Sequence, residues 1–387
     1  MLLLRRCCCW LLVSLILGLA GCASSPRVVD RPSALLRDEL FKQPARAFNA
    51  KDLFALSPEM HDYLRDKLPR LTARSDPRQA LLDALYSKRD LRLAYEGGNT
   101  LTASEAFAAR TGNCLSLVIM TSAFAKQLGL PVSYRRVVMD EMYTRADDLT
   151  LASGHVNLVL AALPSRLWRH DADDASLTVD FLPSEDTRGQ QSHPLDERTL
   201  IAMYLNNRAV EALGQGRLDE AYAWAREAVL QDERFSAATN TLGVIYSRAG
   251  HTGAAEAALR HTLALEPDHR AALSNLVGLM TRTGREDQAA GLAARLAHLQ
   301  PDPPFQQFER GREAMRQGDF AAARQHFNRE LRRQPYQDEV HFWAAQANLR
   351  LGDGEQAAHH LRLARDYSIT QANHARYAAK LDYLRTH

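Results

Sequence analysis

Cysteine is scarce in this chain of 387 residues, and its few copies are unevenly placed. Only Cys114 lies beyond residue 22, because the other four are Cys7, Cys8, Cys9 and Cys22. If the N-terminal segment is removed and Cys22 is modified, Cys114 has no intrachain partner, which excludes a fold held together by several disulfides. A solitary thiol has two interpretations: a buried cysteine that packs as a small hydrophobic side chain, or a reactive nucleophile.

The chain also lacks an excess of either charge. Two of its 48 lysine and arginine residues, Arg5 and Arg6, belong to the first 21 residues, and the remaining 46 face 46 aspartate and glutamate residues. A nucleic-acid-binding protein needs a basic surface to neutralise phosphates, so this balance argues against a nucleic-acid partner. The hydrophobic and charged fractions, 46% and 24%, are ordinary for a globular protein. The length predicts two or three domains.

The N-terminal apolar run is too short for an ordinary membrane span. It covers residues 10 to 17, after the Arg5-Arg6 pair, whereas a spanning helix needs about 20 apolar residues. A basic start, a short apolar run and then small residues are the layout of a secretory signal. We therefore expect a signal peptide over residues 1–21, with a transmembrane anchor as the alternative.

The end of this segment, Leu-Ala-Gly-Cys at residues 19 to 22, resembles a bacterial lipobox. The resemblance implies that the Cys22 thiol is acylated with diacylglycerol and that the mature protein begins at this lipid anchor. Because Ala23 and Ser24 follow, with no aspartate there, it also implies the outer membrane of a bacterial cell envelope, facing the periplasm. Residues 22–34 lack apolar periodicity, which predicts a flexible tether.

The C-terminal half repeats with a period of 34 residues. This is the tetratricopeptide pattern, in which small side chains let two helices pack closely and glycine permits the turn between them. We expect five repeats over residues 199–387, with residues 371–386 as a capping helix. Three positions follow the period: Gly216, Gly250, Gly284, Gly318 and Gly352; Ala221, Ala255, Ala289, Ala323 and Ala357; and Ala209, Gly243, Val277, Gly311 and Ala345.

A solenoid of such repeats presents a concave surface, lined largely by the first helix of each repeat, that binds peptides or protein segments. We therefore expect a protein or peptide partner for residues 199–387. The alternative is a rigid spacer or an oligomerisation surface, because the repeats alone name no ligand.

Helical patterns dominate the first part of a predicted domain over residues 35–198. Helices are expected over residues 58–68 and 77–86, and Thr102 with Glu105 forms a capping-box pattern that opens a further helix.

A helix that starts at Cys114 and a set of strands are expected next. Apolar residues on one helical face follow Cys114, and Gly129 and Pro131 are stop signals. The polar stretch 140–153 is expected to be a loop that forms a wall of a cleft. Strands are expected on both sides of it and beyond, over residues 132–139, 155–161 and 177–181.

Cys114, His155 and Asp180 have the residue types and the order that cysteine acyl-transfer chemistry requires. A helix N-terminus stabilises a thiolate, and its backbone N–H groups can hold an oxyanion. His155 would take the thiol proton and later protonate the leaving amine, while Asp180 would orient the imidazole. Asn99 and Tyr95 are the candidate side-chain oxyanion donors. No pattern in the sequence calls for a metal or another cofactor.

Several short motifs also carry a resemblance to a known family. They are Gly-Asn-Cys at 112–114, Leu-Gly-Leu-Pro at 128–131, Gly-His at 154–155 and Val-Asp at 179–180. Over roughly residues 80 to 185 the chain resembles the transglutaminase-like cysteine peptidases, whose active centre is papain-like. The resemblance implies an α+β fold, with a core helix on an antiparallel sheet. Within it Cys114 would be the nucleophile, His155 the base and Asp180 the orienting carboxylate.

Two functions are consistent with these patterns. The first is a lipid-anchored cysteine hydrolase or acyltransferase that attacks an amide, forms a thioester at Cys114 and holds its protein substrate on the repeats. The second is a non-catalytic adaptor whose repeats recruit envelope proteases or assembly factors. The enzyme is favoured, because an adaptor has no reason to keep Cys114, His155 and Asp180 together.

Overall fold

The computed structural model describes residues 32–42, 48–66, 76–86, 93–95, 99–146, 149–161, 176–181, 190–301, 305–368 and 371–386. The predicted signal peptide, the lipidation residue Cys22 and most of the predicted tether lie outside these ranges, so they stay predictions. Among the described helices, none has the length and apolar character needed to cross a membrane.

The part before Cys114 is mostly helical. The capping box is present: the side chains of Thr102 and Glu105 each accept a hydrogen bond from the other residue's backbone N–H. The helix expected over residues 58–68 is described as far as residue 66 and, like the helix expected over 77–86, it starts at a proline, which fits the first turn. Two 3-10 turns, Pro32–Leu35 and Asp38–Leu40, precede α1 (Ala50–Leu53), α2 (Pro58–Asp66), α3 (Pro77–Tyr86) and α4 (Ala103–Ala109).

Helix α5 (Cys114–Gln127) is the central element of this part of the molecule. The sequence predicted one apolar face, but every residue from Leu115 to Ala125 is buried, so neighbours pack around the whole helix. The helix ends where the stop signals predicted. Gly129 takes a φ of 70°, and the N–H of Leu130 donates to the carbonyl of Ala125 at 2.9 Å.

Two short strands, β1 (Ala94–Tyr95) and β2 (Thr111–Gly112), pair with each other before α5. Four further strands form an antiparallel sheet: β3 (Val132–Ala146), β4 (Leu149–Ala161), β5 (Ser176–Val179) and β6 (Ser192–Leu195). Their order in the sheet is β5-β4-β3-β6, and α5 packs on it. Strands were expected at β3, β4 and β5, whereas β6 was not predicted, because its short Ser-His-Pro-Leu run lacks the usual strand residues.

The prediction of a loop over residues 140–153 is wrong. Strands β3 and β4 pair through this stretch, with Met142 opposite Ser153 and Ala146 opposite Leu149. The register shifts between Val137 and Met142, as at a β-bulge. Strand pairing is made by backbone hydrogen bonds, which polar side chains do not prevent, so polar composition alone was a poor guide here.

Helical pairs follow the sheet, as the period of 34 residues predicted. Within the described residues from 197 to 386 there are five contacting pairs and a final helix packed on the last pair. The glycine between the two helices of each pair takes a φ between 70° and 82° in every repeat. The pairs are α6 (Glu197–Gly214) with α7 (Leu218–Gln231), α8 (Ser236–Arg248) with α9 (Thr252–Leu265), α10 (Arg270–Arg282) with α11 (Glu286–Leu299), α12 (Gln306–Gln317) with α13 (Phe320–Arg333), and α14 (Asp338–Arg350) with α15 (Gly354–Tyr367), followed by α16 (Gln371–Thr386).

One hydrophobic core runs through the sheet and the first three repeats. It extends from Phe41 through α5 to Ala289 in α11, and it is continuous across residues 198 and 199, where the sequence predicted a domain boundary. The fourth and fifth repeats have separate clusters, one that contains Phe327 and one that contains Tyr377. Pro32–His387 accordingly form one compact unit.

Candidate active site

Cys114 is the first residue of α5, as the sequence predicted, and its side chain is partly exposed. The preceding residue, Asn113, caps the helix: its Oδ1 accepts the N–H of Ser116 at 2.9 Å. The thiol therefore lies at the positive end of the helix dipole, which favours a thiolate.

Gly112 lets the chain approach the start of α5 closely. A Cβ atom at this residue would lie 2.8 Å from the Cβ of Ser116, which is closer than two carbon atoms can pack. Gly112 also pairs with Tyr95 in a short parallel ladder between β1 (Ala94–Tyr95) and β2 (Thr111–Gly112). The glycine of the Gly-Asn-Cys motif is thus required by close packing rather than by an unusual φ angle.

His155 and Asp180 are in direct contact. His155 is buried in β4, and its Nε2 lies 2.8 Å from Oδ1 of Asp180, which follows the last residue of β5. The two strands are neighbours in the sheet, with Leu158 opposite Val179. The sequence predicted these two residues as base and orienting carboxylate; the strand pairing brings them together, and their catalytic roles stay a prediction.

The contact with Asp180 uses Nε2 of His155, which leaves the second ring nitrogen, Nδ1, outside that contact. Nδ1 is buried and has no hydrogen bond of regular geometry with a described residue. Cys114 is nevertheless close enough to act on the pKa of His155, both as a hydrogen-bond partner and as a negative charge. Cys114 and His155 are therefore neighbours whose side chains are not aligned as a regular hydrogen bond.

The pKa of His155 is strongly raised. Burial by itself lowers it, but the hydrogen bond to Asp180 and the contact with Cys114 outweigh burial and raise the pKa from 6.5 to about 10. The imidazole is cationic at neutral pH in this arrangement, so Nε2 donates to the Asp180 carboxylate. A cationic imidazole next to a thiolate is the charge state that cysteine nucleophiles use.

Asn157 is a site residue that the sequence analysis missed. Its Nδ2 donates to Oδ2 of Asp180 at 3.3 Å, so both carboxylate oxygens of Asp180 have a partner on β4. The available signal was the strand period, because residues two apart lie on the same face and Asn157 follows His155 by two.

The two candidate oxyanion donors border the site. Asn99 precedes Thr100, whose Oγ1 accepts a hydrogen bond from Nδ2 of Asn113 at 2.9 Å. The backbone of Tyr95 pairs with that of Gly112, while its side chain lies outside what the structure describes. Their role as oxyanion donors stays a prediction. Among the described residues, no three histidine, cysteine, aspartate or glutamate side chains form a group that could hold a metal.

Two comparisons bear on the repeats, and a third found nothing. Residues 240–304 and 308–372 match the family model described as tetratricopeptide repeat. The first segment begins within α8 and includes α9 to α11, and the second begins within α12 and includes α13 to α15 and the start of α16. No curated protein matches the chain.

Three of the solved structures that are similar to the chain are the following. A structure of MamA (MSR-1) is 22% identical, over 43% of this chain and 95% of its own, with a TM-score of 0.24. PilF of Pseudomonas aeruginosa is 18% identical, over 49% and 87%, with a TM-score of 0.28. PilW, titled a widely conserved type IV pilus biogenesis factor, is 18% identical, over 50% and 88%, with a TM-score of 0.26. Scores this low support no inference about this chain.

The family match and the helical pairs agree on one part of the molecule. The C-terminal part of the chain is a tetratricopeptide-repeat solenoid, and it follows an α+β part with a small antiparallel sheet.

Proposed function

We propose that this protein is an adaptor of the bacterial cell envelope whose repeats bind a protein or peptide segment. The match of residues 240–304 and 308–372 to the tetratricopeptide family supports binding, because stacked repeats of this kind present an extended surface for protein segments. The comparisons favour this function over an enzymatic one, since the family match is confined to the repeats. Membrane attachment through a lipid on Cys22 is part of the proposal and depends on the lipobox resemblance alone.

A second function, cysteine catalysis, is favoured by one specific observation. Nε2 of His155 is 2.8 Å from Asp180, the buried Nδ1 makes no regular hydrogen bond with a described residue, and Cys114 is near enough to raise the pKa of the ring. A structural histidine in an apolar core usually satisfies both ring nitrogens or loses its charge, whereas this one is held as a cation beside a thiol. We infer a cysteine hydrolase or acyltransferase related to the transglutaminase-like peptidases.

The chemistry follows from the charge state. The Cys114 thiolate attacks an amide carbonyl, a C–S bond forms, and the electron pair of the carbonyl moves to its oxygen near the start of α5. The tetrahedral intermediate then collapses, the C–N bond breaks and the proton of His155 Nδ1 passes to the leaving amine. Water or a second amine attacks the thioester, gives its proton to His155 and releases the acyl group from sulfur. Hydrolysis and transamidation differ only in this last acceptor.

The adaptor and the enzyme predict different fates for a bound partner. Wild-type protein and the Cys114→Ala variant should capture the same partner through the repeats in both cases. Intact-mass spectrometry of the partner after incubation separates the two. An adaptor leaves its mass unchanged with either protein, while a catalytic Cys114 changes it with wild type only. An equal change with both proteins would rule out catalysis at Cys114.

A further inference from the structure

Thr100 lies between the start of α5 and the first helix of the repeats. It is 1% exposed, and two side chains of α6 hold its backbone. Its N–H donates to Oε1 of Glu211 at 2.6 Å, and its carbonyl accepts from Nη1 of Arg208 at 3.3 Å. A buried backbone N–H and carbonyl are thus satisfied by residues more than 100 positions away in the chain, rather than by secondary structure.

The side chain of Thr100 continues the connection to the residue that caps α5. Its Oγ1 accepts from Nδ2 of Asn113 at 2.9 Å. Oδ1 of Asn113 accepts from both the N–H and the hydroxyl of Ser116, and that hydroxyl accepts the N–H of Leu101 at 2.8 Å. The N–H, the carbonyl and the hydroxyl oxygen of Thr100 are therefore all hydrogen-bonded. The connected hydrogen bonds reach Asn113 and Ser116, which lie on either side of Cys114 in the sequence.

Glu211 is an unusual residue for this position. It is largely buried, and burial raises its pKa, while the hydrogen bonds from Thr100 and the charge of Arg208 oppose the rise. Removing a carboxylate from water costs free energy, and an apolar side chain would pack a repeat helix without this cost. Its hydrogen bond to Thr100 explains why a carboxylate occupies this position.

The strand that carries His155 also contacts the repeats. Strand β4, which carries His155, lies against α8 and α10, the first helices of the second and third repeats. The hydrophobic core is continuous through these same elements and ends before the fourth repeat. The strand that carries His155 and the residue next to the cap of α5, Thr100, thus contact the first helices of three successive repeats.

We propose that Glu211 and Arg208 are positioning residues for Cys114, and that they act through Thr100 and Asn113. The proposal rests on the proposed cysteine function, because it names residues that set the reactivity of the same thiol. It also makes the first repeat a part of the site rather than a separate binding module.

The test compares variants of Glu211 with a matched buried carboxylate. Glu330 in the fourth repeat is fully buried and also accepts backbone N–H groups, from Phe305, Gln307 and Phe308, but it belongs to the separate cluster. Glu211→Ala removes the acceptor of the Thr100 N–H, Glu211→Gln keeps an acceptor there, and Glu330→Ala is the control. Thr100→Val breaks the connection to Asn113 with little change in shape, and it serves if Glu211→Ala does not fold.

Two quantities are measured on the full chain: the rate of iodoacetamide alkylation of Cys114, and amide hydrogen exchange over residues 99–117. We expect alkylation to slow about tenfold or more in Glu211→Ala and Thr100→Val, because small misplacements of reacting groups cost this much. Exchange should rise in the same two variants, while Glu211→Gln restores both quantities and Glu330→Ala changes neither.

The outcomes separate this proposal from the proposed cysteine function. If wild-type Cys114 reacts no faster than free cysteine but exchange rises in Glu211→Ala, the cysteine function fails and the positioning contact holds. If wild-type Cys114 is activated but Glu211→Ala and Thr100→Val leave its alkylation rate and the exchange unchanged, the positioning role of Glu211 is overturned.

Discussion

Nε2 of His155 lies 2.8 Å from Oδ1 of Asp180, and this one contact decides which ring nitrogen is available to Cys114. The imidazole is fully buried, so the carboxylate holds it in a fixed orientation as well as in its charged form. The candidate site is therefore defined by the pairing of β4 with β5, while the thiol is delivered by the start of α5.

Asp180→Asn should lower the pKa of His155 well below about 10, because the amide can still accept a hydrogen bond but carries no negative charge. Titration of the His155 ring by NMR measures this directly. Asp196→Asn is a suitable control, since the Asp196 side chain makes no capping bond at the start of α6. An unchanged His155 pKa in Asp180→Asn would show that Asp180 does not hold the imidazolium.

Asn157→Ala should slow the reaction of Cys114, because Asp180 loses the partner of its Oδ2 and holds His155 less firmly. Losing one such hydrogen bond costs about 1–3 kcal/mol of stability. Asn275→Ala gives the matched control: Asn275 is also buried and donates to Asn240 at 3.0 Å within the repeats. Chemical unfolding should show similar losses for both variants, but only Asn157→Ala should change alkylation. Equal alkylation rates in the two would contradict this role.

Gly311→Ala should destabilise the fourth repeat. A Cβ at this position would lie 2.5 Å from the ring of Phe327, the kind of overpacking that costs about 1–3 kcal/mol. Gly291→Ala is the matched control, because it lies exposed within α11 with nothing within 4 Å of the added Cβ, and alanine there should stabilise by about 0.5–1 kcal/mol. Denaturant unfolding measures the change in the free energy of unfolding for each variant. If helix packing explains the small residue at position 311, this free energy falls in Gly311→Ala and rises in Gly291→Ala.

Asp338→Asn should remove a pH dependence of the capping helix. Burial raises the pKa of Asp338 from 3.8 to about 6, although Asn373 and Tyr377 of α16 donate to its carboxyl. Because the folded-state pKa is above the unfolded value, the stabilisation is complete below pH 3.8 and is lost as the pH rises through about 6.

Hydrogen exchange of α16 at pH 5 and pH 8 measures the effect of Asp338. Wild type should lose about 1–3 kcal/mol of local stability between these values, and Asp338→Asn should lose far less. The same loss in both proteins would assign the pH dependence to another group.

The repeats could be predicted almost completely from the sequence. Each turn glycine at the 34-residue spacing takes a positive φ, which favours glycine. At the small-residue position, Gly243 and Gly311 leave no room for a Cβ, so steric limits explain both repeated positions. The bounds of α5 were equally predictable, because an apolar helical face follows Cys114 and Gly129 and Pro131 are local stop signals.

The rest of the site depended on contacts between distant residues. The order of Cys114, His155 and Asp180 suggested these residues as a site, but no local pattern gives the distance between two strands, and their catalytic roles stay predictions. The bond between Thr100 and Glu211 joins residues that are 111 positions apart, and neither lies in a recognisable motif. The stretch 140–153 was misjudged because backbone pairing, which forms β3 and β4 there, leaves no mark in side-chain polarity.

The candidate site and the further inference both depend on the claim that His155 activates Cys114, and the alkylation rate of Cys114 tests that claim most directly. Iodoacetamide labelling of the full chain, resolved at Cys114 by peptide mass spectrometry, is compared between wild type and His155→Ala from pH 6 to pH 9. We predict that wild-type Cys114 reacts about tenfold or more faster than free cysteine near pH 6, with a weak dependence on pH, and that His155→Ala loses this advantage. Equal rates in the two proteins, both following free cysteine, would contradict the account.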